Sequence, residues 1–178
     1  MTDPQSARPL LHAMRRVRSV RSFRPDPVSD GLLTEILEVA RWTGSGSNRQ
    51  PWTFVVVRDA ATRSAIAAAS PNVRHIAGAA AAIVIVMDGM SEIETFDEAR
   101  VAERILVAAT ALGLASAIGW VVPAGAAAVA TLLGVPDGRR ARTLVSLGYP
   151  SEEGARPKSA PGTARRPLAE MVRFERFA

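Results

Sequence analysis

The stretch Gly44–Trp52, which reads GSGSNRQPW, carries residue types that could bind a flat polar ligand. Its first four residues are small and would let the backbone approach such a ligand closely. The side-chain amides of Asn48 and Gln50 can both donate and accept hydrogen bonds. Pro51 lacks an N–H and therefore marks the end of the loop before any strand that follows. The same composition is also typical of a polar connector, so this stretch alone does not choose between the two interpretations.

Two basic segments could bind an anionic group such as a phosphate. In the first, Arg18 and Arg21 lie on either side of the hydroxyl of Ser19, and a guanidinium can pair with a phosphate through two parallel hydrogen bonds. In the second, Arg165 and Arg166 precede an apolar run near the end of the chain. Each segment could equally be a solvated basic turn or tail.

The composition limits the classes of protein that are possible. A chain of 178 residues with 48% hydrophobic and 22% charged residues predicts a single domain over 1–178 and excludes wholesale disorder. The absence of cysteine excludes disulfides and thiolate chemistry, and it favours a cytoplasmic protein, as does the lack of an apolar leader. The net charge of +5 comes almost entirely from arginine. It fits an anionic ligand, with a nucleic-acid surface as the alternative.

The hydrophobic pattern predicts the elements that must position these groups. Helical spacing predicts helices over 9–17, 60–69, 97–112 and 124–133, and another that begins at Ser29 or Asp30 and continues to Ala40. Apolar runs predict strands over 53–58, 80–87, 114–122 and 142–148. The uncharged span from 105 to 136 contains several Gly and Pro residues, so we expect no membrane helix there. This order of elements predicts an α+β fold with four or five strands.

These motifs, in this order, resemble the nitroreductase family of FMN-dependent oxidoreductases. The sequence VRSVRSFRPDPV is similar to the RRSxR-F start of the family. ARWTGSGSNRQPWTFVVV is similar to its helix, loop and strand, and LGLASAIGW, LLGVPDG and SLGYP follow in the family's order. The chain departs from the pattern at Val17, Gly44 and Thr163, where the family has arginine, proline and lysine.

The resemblance implies a mixed central sheet of four to five strands flanked by helices, in a homodimer whose C-terminal segments are exchanged. It also implies one FMN in each of two sites shared between the chains. The phosphate end of FMN would be held by Arg18, Ser19, Arg21 and Arg165. Asn48 would contact the edge of the flavin ring, with Ser45 and Gly46 coming from the partner chain and Gln50 supporting that loop or the ribityl chain. Ile118 and Gly119 would lie against the ring.

The activity implied by the resemblance is reduction of nitroaromatics, quinones or related electrophiles by NAD(P)H. Hydride would pass through the flavin in a ping-pong cycle, so no acid–base pair and no catalytic side chain are expected. His12 and His75 are far apart in sequence, and we expect no metal site. Two alternatives stay open: a flavin-binding or sensor protein without enzyme activity, and an arginine-rich nucleic-acid-binding protein.

Overall fold

The computed structural model describes residues 8–157 and 165–177. Within them the helices are α1 (Arg8–Arg16), α2 (Asp30–Arg41), α3 (Ala60–Ala69), α4 (Glu92–Ala111), α5 (Pro123–Leu133), α6 (Glu152–Ala155) and α7 (Leu168–Met171). The strands are β1 (Trp52–Val57), β2 (Ala81–Asp88), β3 (Ala115–Trp120) and β4 (Arg139–Gly148). Two 3₁₀ helices, Gly46–Asn48 and Pro71–Gly78, lie before β1 and β2. The α+β class predicted from the sequence is confirmed.

The strands form one sheet in the order β1-β2-β4-β3. Each neighbouring pair is antiparallel, so β2 and β3 run in the same direction with β4 between them. The prediction of a mixed sheet needs correction here, because the parallel component is an isolated bridge between Ser19 and Ser116. In that bridge the N–H of Val20 donates to the carbonyl of Ser116 at 2.9 Å. The segment that carries Arg18 and Arg21 therefore lies along the outer edge of β3.

Helices cover both faces of the sheet. On one face, α2 and α4 pack against the side chains of Ile83, Ile85 and Val145. On the other face, α3, α5 and the 3₁₀ helix Pro71–Gly78 pack against Val84 and Leu144. Burial on both faces explains why β2 is a continuous apolar run instead of an alternating one.

Two elements begin earlier than the sequence predicts. Helix α4 begins at Glu92 and not at Asp97, because Ser91 and Glu94 form a reciprocal capping box at its N-terminus. Strand β4 begins at Arg139 and not at Arg142, and its register against β2 shifts between Ile85 and Val86. No helix of the described residues is long and apolar enough to cross a membrane.

The C-terminal segment makes little contact with the rest of its own chain. From Leu168 onward its large apolar side chains are exposed, and Phe174 and Phe177 are the most exposed of them. This segment therefore presents an apolar surface that no other described segment of the protomer covers.

Candidate functional site

A cavity of about 780 Å³ opens along β3, at the edge of the sheet, and we call it the β3 cavity. The sequence-predicted residues Arg21, Ile118 and Gly119 all line it. The rest of its lining comes from the segment 71–75, from α4, from the end of β3 and from β4: Pro71, Asn72, Arg74, His75, Thr95, Glu98, Ala99, Trp120, Arg142 and Thr143.

Strand β3 supplies an apolar surface inside this cavity. Ile118 and Trp120 point to the same side of the sheet, because side chains two residues apart in a strand share a face. Helix α4 leaves them 38% and 50% exposed, respectively. A flat ring could lie on this surface without displacing any buried side chain.

Gly119 points to the opposite face, where the 3₁₀ helix Pro71–Gly78 packs closely on the strand. A Cβ atom at position 119 would lie 2.9 Å from Cγ1 of Val73 and 3.1 Å from Cε1 of His75. Glycine at this position therefore lets the segment 71–75 approach β3 and form one wall of the cavity.

His75 contributes a buried polar ring to that wall. Its Nε2 is buried without a hydrogen-bond partner, and the ring interacts with the backbone of Ala117. Burial, and secondarily the charge of Arg21, lowers the pKa of His75 and favours the neutral ring.

The sequence did not identify Asn72, Arg74 and His75 as members of a site. This segment contains none of the motifs described above, and a single histidine next to an arginine is more often a surface residue. Pro71, which begins the 3₁₀ helix, is a local feature in the sequence that could have marked the start of this segment.

At the α4 end of the cavity, one carboxylate meets two guanidiniums. Glu98 is only 2% exposed, and its Oε2 accepts a hydrogen bond from Nη2 of Arg140 at 2.8 Å. Nη2 of Arg142 lies 3.5 Å from the same oxygen. Glu98 is therefore a buried carboxylate whose charge is compensated by arginines of β4.

The loop 44–52 is held together by its own hydrogen bonds. The hydroxyl oxygen of Ser45 accepts from the N–H of Gln50 at 2.8 Å, and Nε2 of Gln50 donates to Oδ1 of Asn48 at 3.2 Å. Ser47, Asn48 and Gln50 all have positive φ, with values between 50° and 54°. These left-handed residues fold the loop into a compact shape that the bond to Ser45 closes.

The other predicted site residues line separate hollows of the protomer. Arg18 and Arg165 line one of about 590 Å³, where the Arg18 guanidinium donates to the carbonyl of Ala155 at 2.8 Å. Ser45 and Gly46 line another beside α4, and Gln50 lines a third beside β1. Ser19 joins the edge of β3 through its backbone, and Thr163 lies outside the described residues. Residues 8–157 and 165–177 contain no group of three His, Asp or Glu side chains that could hold a metal ion.

Comparisons with known proteins agree on one family. The model of the nitroreductase family matches residues 14–72. An NADH dehydrogenase of Thermus thermophilus is 33% identical over 182 aligned positions, which cover 80% of this chain and 86% of that protein. A protein of Archaeoglobus fulgidus with the provisional name NADH dehydrogenase/NAD(P)H nitroreductase is 34% identical over 76% of this chain and 82% of its own length.

Solved structures share the fold. A nitroreductase-type protein of Desulfovibrio desulfuricans, crystallised in complex with FMN, superimposes with a TM-score of 0.79 at 28% identity, and the alignment covers 100% of both chains. The nitroreductase-like fold expected from the sequence is thereby confirmed. On the extent and identity of these matches, the chain belongs to the nitroreductase family of oxidoreductases.

Proposed function

We propose that this protein is an FMN-dependent oxidoreductase that uses NAD(P)H to reduce nitroaromatics, quinones or related electrophiles. The observation that carries the proposal is the β3 cavity. It combines the cation of Arg21, the exposed apolar surface at Ile118 and the unpartnered Nε2 of His75. FMN has matching parts, namely a phosphate, a flat ring and polar groups with N–H and O–H donors.

The residues that would hold FMN follow from this match. Ile118 and Gly119 would lie against the ring, and Arg21 would neutralise charge on the phosphate. Arg18, Ser19 and Arg165 would complete the phosphate site. The bridge from Ser19 to Ser116 supports the assignment of Arg18, Ser19 and Arg21, because it brings this basic segment to the edge of β3.

The rest of the site would come from a second copy of the chain. Ser45, Gly46 and Gln50 line hollows other than the β3 cavity within their own protomer, and Asn48 is bonded within its loop. A homodimer would let this loop reach the partner's cavity. The exposed apolar side chains on α1, α2 and α4, including Met14, Val39 and Phe96, support such an interface, and the exposed C-terminal segment supports an exchange between chains.

Bound FMN would supply the two-electron chemistry that no side chain of this protein offers. In the overall reaction a nitro group gains two electrons and two protons and loses one oxygen as water, which leaves a nitroso group. NAD(P)H is oxidised to NAD(P)⁺ and gives a hydride, and solvent gives the second proton. The contribution of the chain is to orient the ring on Ile118 and to neutralise the phosphate charge with Arg21.

A titration of the purified protein with FMN tests the proposal. We expect saturable quenching of flavin fluorescence with a stoichiometry of one FMN per chain, and oxidation of NADH or NADPH by the loaded protein when p-benzoquinone is added. Failure to bind FMN would overturn the proposal. Tight FMN binding without NAD(P)H oxidation would favour a flavin-binding protein without enzyme activity. DNA binding that weakens steeply with salt, in a protein without flavin affinity, would favour a nucleic-acid-binding protein.

A further inference from the structure

Arg142 is the extra residue of a β-bulge. Thr143 pairs with Ile85, and Ala141 pairs with Val86, so Arg142 has no partner on β2. The bulge changes the alternation of β4, and Arg140 consequently points to the α4 face on which Thr143 and Val145 also lie. Both Arg140 and Arg142 therefore lie close enough to Glu98 to pair with it. In a regular strand without the bulge, Arg140 would point to the opposite face of the sheet.

Two positive charges share one negative charge at this place. Arg140 is mostly buried and makes the closer contact with Glu98, at 2.8 Å against 3.5 Å for Arg142. The Nε of Arg142 is buried without a hydrogen-bond partner, and so is Oε1 of Glu98. Since Arg140 already neutralises Glu98, the charge of Arg142 is left for something else in the cavity.

Arg142 also lies over an aromatic ring that lines the same cavity. Its guanidinium carbon is 5.0 Å from the ring centroid of Trp120, a distance at which a cation is attracted to the ring. The contact fixes the guanidinium above the apolar surface formed by Trp120 and Ile118. An anchored cation beside an apolar surface is the arrangement that recognises an aromatic ring with an acidic substituent.

We propose that Arg142 and Trp120 form an acceptor-binding site that selects aromatic carboxylates. The carboxylate would pair with the guanidinium of Arg142, and the ring would pack on Trp120, beside the flavin ring on Ile118. This inference rests on the proposed function, because it names the class of electron acceptor for the same cavity. The charged residues that line the cavity, three arginines and one glutamate, give it a net charge of +2 and favour such an anion.

The experiment compares 4-nitrobenzoate with its neutral analogue 4-nitrobenzamide as electron acceptors, in the wild type and in Arg142→Gln, with NAD(P)H as the donor. We expect the KM for 4-nitrobenzoate to rise about 10- to 100-fold in the variant, as for the loss of a charge-assisted hydrogen bond. The KM for 4-nitrobenzamide should change less than about twofold, as expected for a neutral ligand that makes no such bond. Arg142→Lys keeps the positive charge but lacks the planar guanidinium. Its KM for 4-nitrobenzoate should therefore lie between those of the wild type and Arg142→Gln.

Binding of redox-inert benzoate, measured by calorimetry, gives a second readout that does not depend on turnover. The Kd of benzoate should rise in Arg142→Gln and in Trp120→Leu, and benzamide should bind weakly to every form. Arg139→Gln is the matched control, because it removes one positive charge from the same strand outside the β3 cavity and should leave the benzoate Kd unchanged. Thermal unfolding shows whether each variant is folded.

The outcomes separate this inference from the proposed function. If p-benzoquinone is reduced but 4-nitrobenzoate has no advantage over 4-nitrobenzamide in the wild type, the acceptor site is wrong and the oxidoreductase proposal stands. If Arg142→Gln raises the KM for NAD(P)H or the Kd of FMN instead, the anion recognised by Arg142 is a phosphate and the inference is wrong. If no acceptor is reduced at all, the proposed function is wrong, and the acceptor site that rests on it is wrong as well.

Discussion

The backbone N–H of Gly46 donates a hydrogen bond of 3.0 Å to Oδ2 of Asp97, a carboxylate that is only 2% exposed. The other oxygen of Asp97 accepts from Nη1 of Arg100 at 3.3 Å. The loop 44–52, whose composition first suggested a ligand site, is therefore attached to the N-terminal part of the long helix α4. A second contact to α4 is the ion pair between Arg49 and Glu94 at 2.8 Å. The small residue at Gly46 allows the close approach, because a Cβ there would lie 3.1 Å from Cγ2 of Ile93.

Removal of the carboxylate should release the loop. We expect Asp97→Ala to lower the free energy of unfolding by about 1 to 3 kcal/mol, because the N–H of Gly46 loses its acceptor. Asp97→Asn keeps an acceptor oxygen and should lose less. Chemical denaturation measures both, with Asp137→Ala, an exposed turn residue, as the control. Equal stability of Asp97→Ala and wild type would show that the bond contributes nothing.

The bond that closes the loop can be tested separately. In Ser45→Ala the N–H of Gln50 loses its acceptor, while the left-handed residues Ser47 and Asn48 remain. We expect faster amide hydrogen exchange at Gln50 and a loss of about 1 kcal/mol in stability. Exchange that is unchanged at Gln50 would mean that another group holds the loop closed.

Gly119 should be intolerant of even a methyl group. A Cβ there would press on Val73 and His75, and we expect Gly119→Ala to cost about 1 to 3 kcal/mol in stability, as overpacked positions do. Because the displaced wall lines the β3 cavity, FMN affinity should fall as well. Gly78→Ala is the matched control, since a Cβ at position 78 meets nothing within 4 Å. Unfolding curves and FMN titrations of both variants check this, and wild-type values for Gly119→Ala would contradict the packing described.

His75 should make stability depend on pH. Its pKa in the folded protein lies below the ordinary value of 6.5, chiefly because the ring is buried. Below pH 6.5 the unfolded chain binds a proton more readily than the folded one, so stability falls as the pH falls from 6.5 toward the folded pKa. Above pH 6.5 the ring of His75 is neutral in both the folded and the unfolded chain, so it no longer makes stability depend on pH.

The comparison with His75→Gln isolates this contribution. Glutamine keeps an N–H for the carbonyl of Ala117 but does not titrate, so the fall in stability below pH 6.5 should be smaller than in the wild type. Identical pH profiles for His75→Gln and wild type would show that His75 has the same pKa in both states.

The proposed homodimer depends on the apolar side chains of α4. Phe96 is 70% exposed and lines a hollow with Leu10, Met14 and Val39. A charge in a buried interface is costly, so Phe96→Asp should give a monomer in sedimentation velocity and should lower FMN affinity with it. Leu132→Asp changes an exposed residue of α5, on the other face of the sheet, and should leave the assembly intact. A wild-type chain that binds FMN as a monomer would contradict the shared site.

The sequence was sufficient wherever one local signal determined the structure. Helix α3 has the predicted bounds, and Ser29 caps α2 through its side chain. The early start of α4 was also visible in principle, because Ser91 and Glu94 have the spacing of a capping box. Arg21, Ile118 and Gly119, chosen from the motifs, do meet in one cavity.

The parts that the sequence missed depend on contacts between distant segments. The burial of Glu98 requires two arginines from β4, and these reach it only because a bulge shifts the strand. The position of His75 in the 3₁₀ helix Pro71–Gly78 depends on the absence of a side chain at Gly119, which lies in strand β3. No periodicity within one segment reports either relationship, so the polar half of the cavity could not be predicted.

The most direct test of the central claim is an anaerobic titration of the FMN-loaded protein with NADH and with NADPH, followed by its visible flavin absorbance. We predict that at least one of the two donors bleaches the absorbance with a stoichiometry of one donor per flavin, and that 4-nitrobenzoate restores it. Absorbance that stays unchanged at saturating concentrations of both donors would contradict an NAD(P)H oxidoreductase built on the β3 cavity.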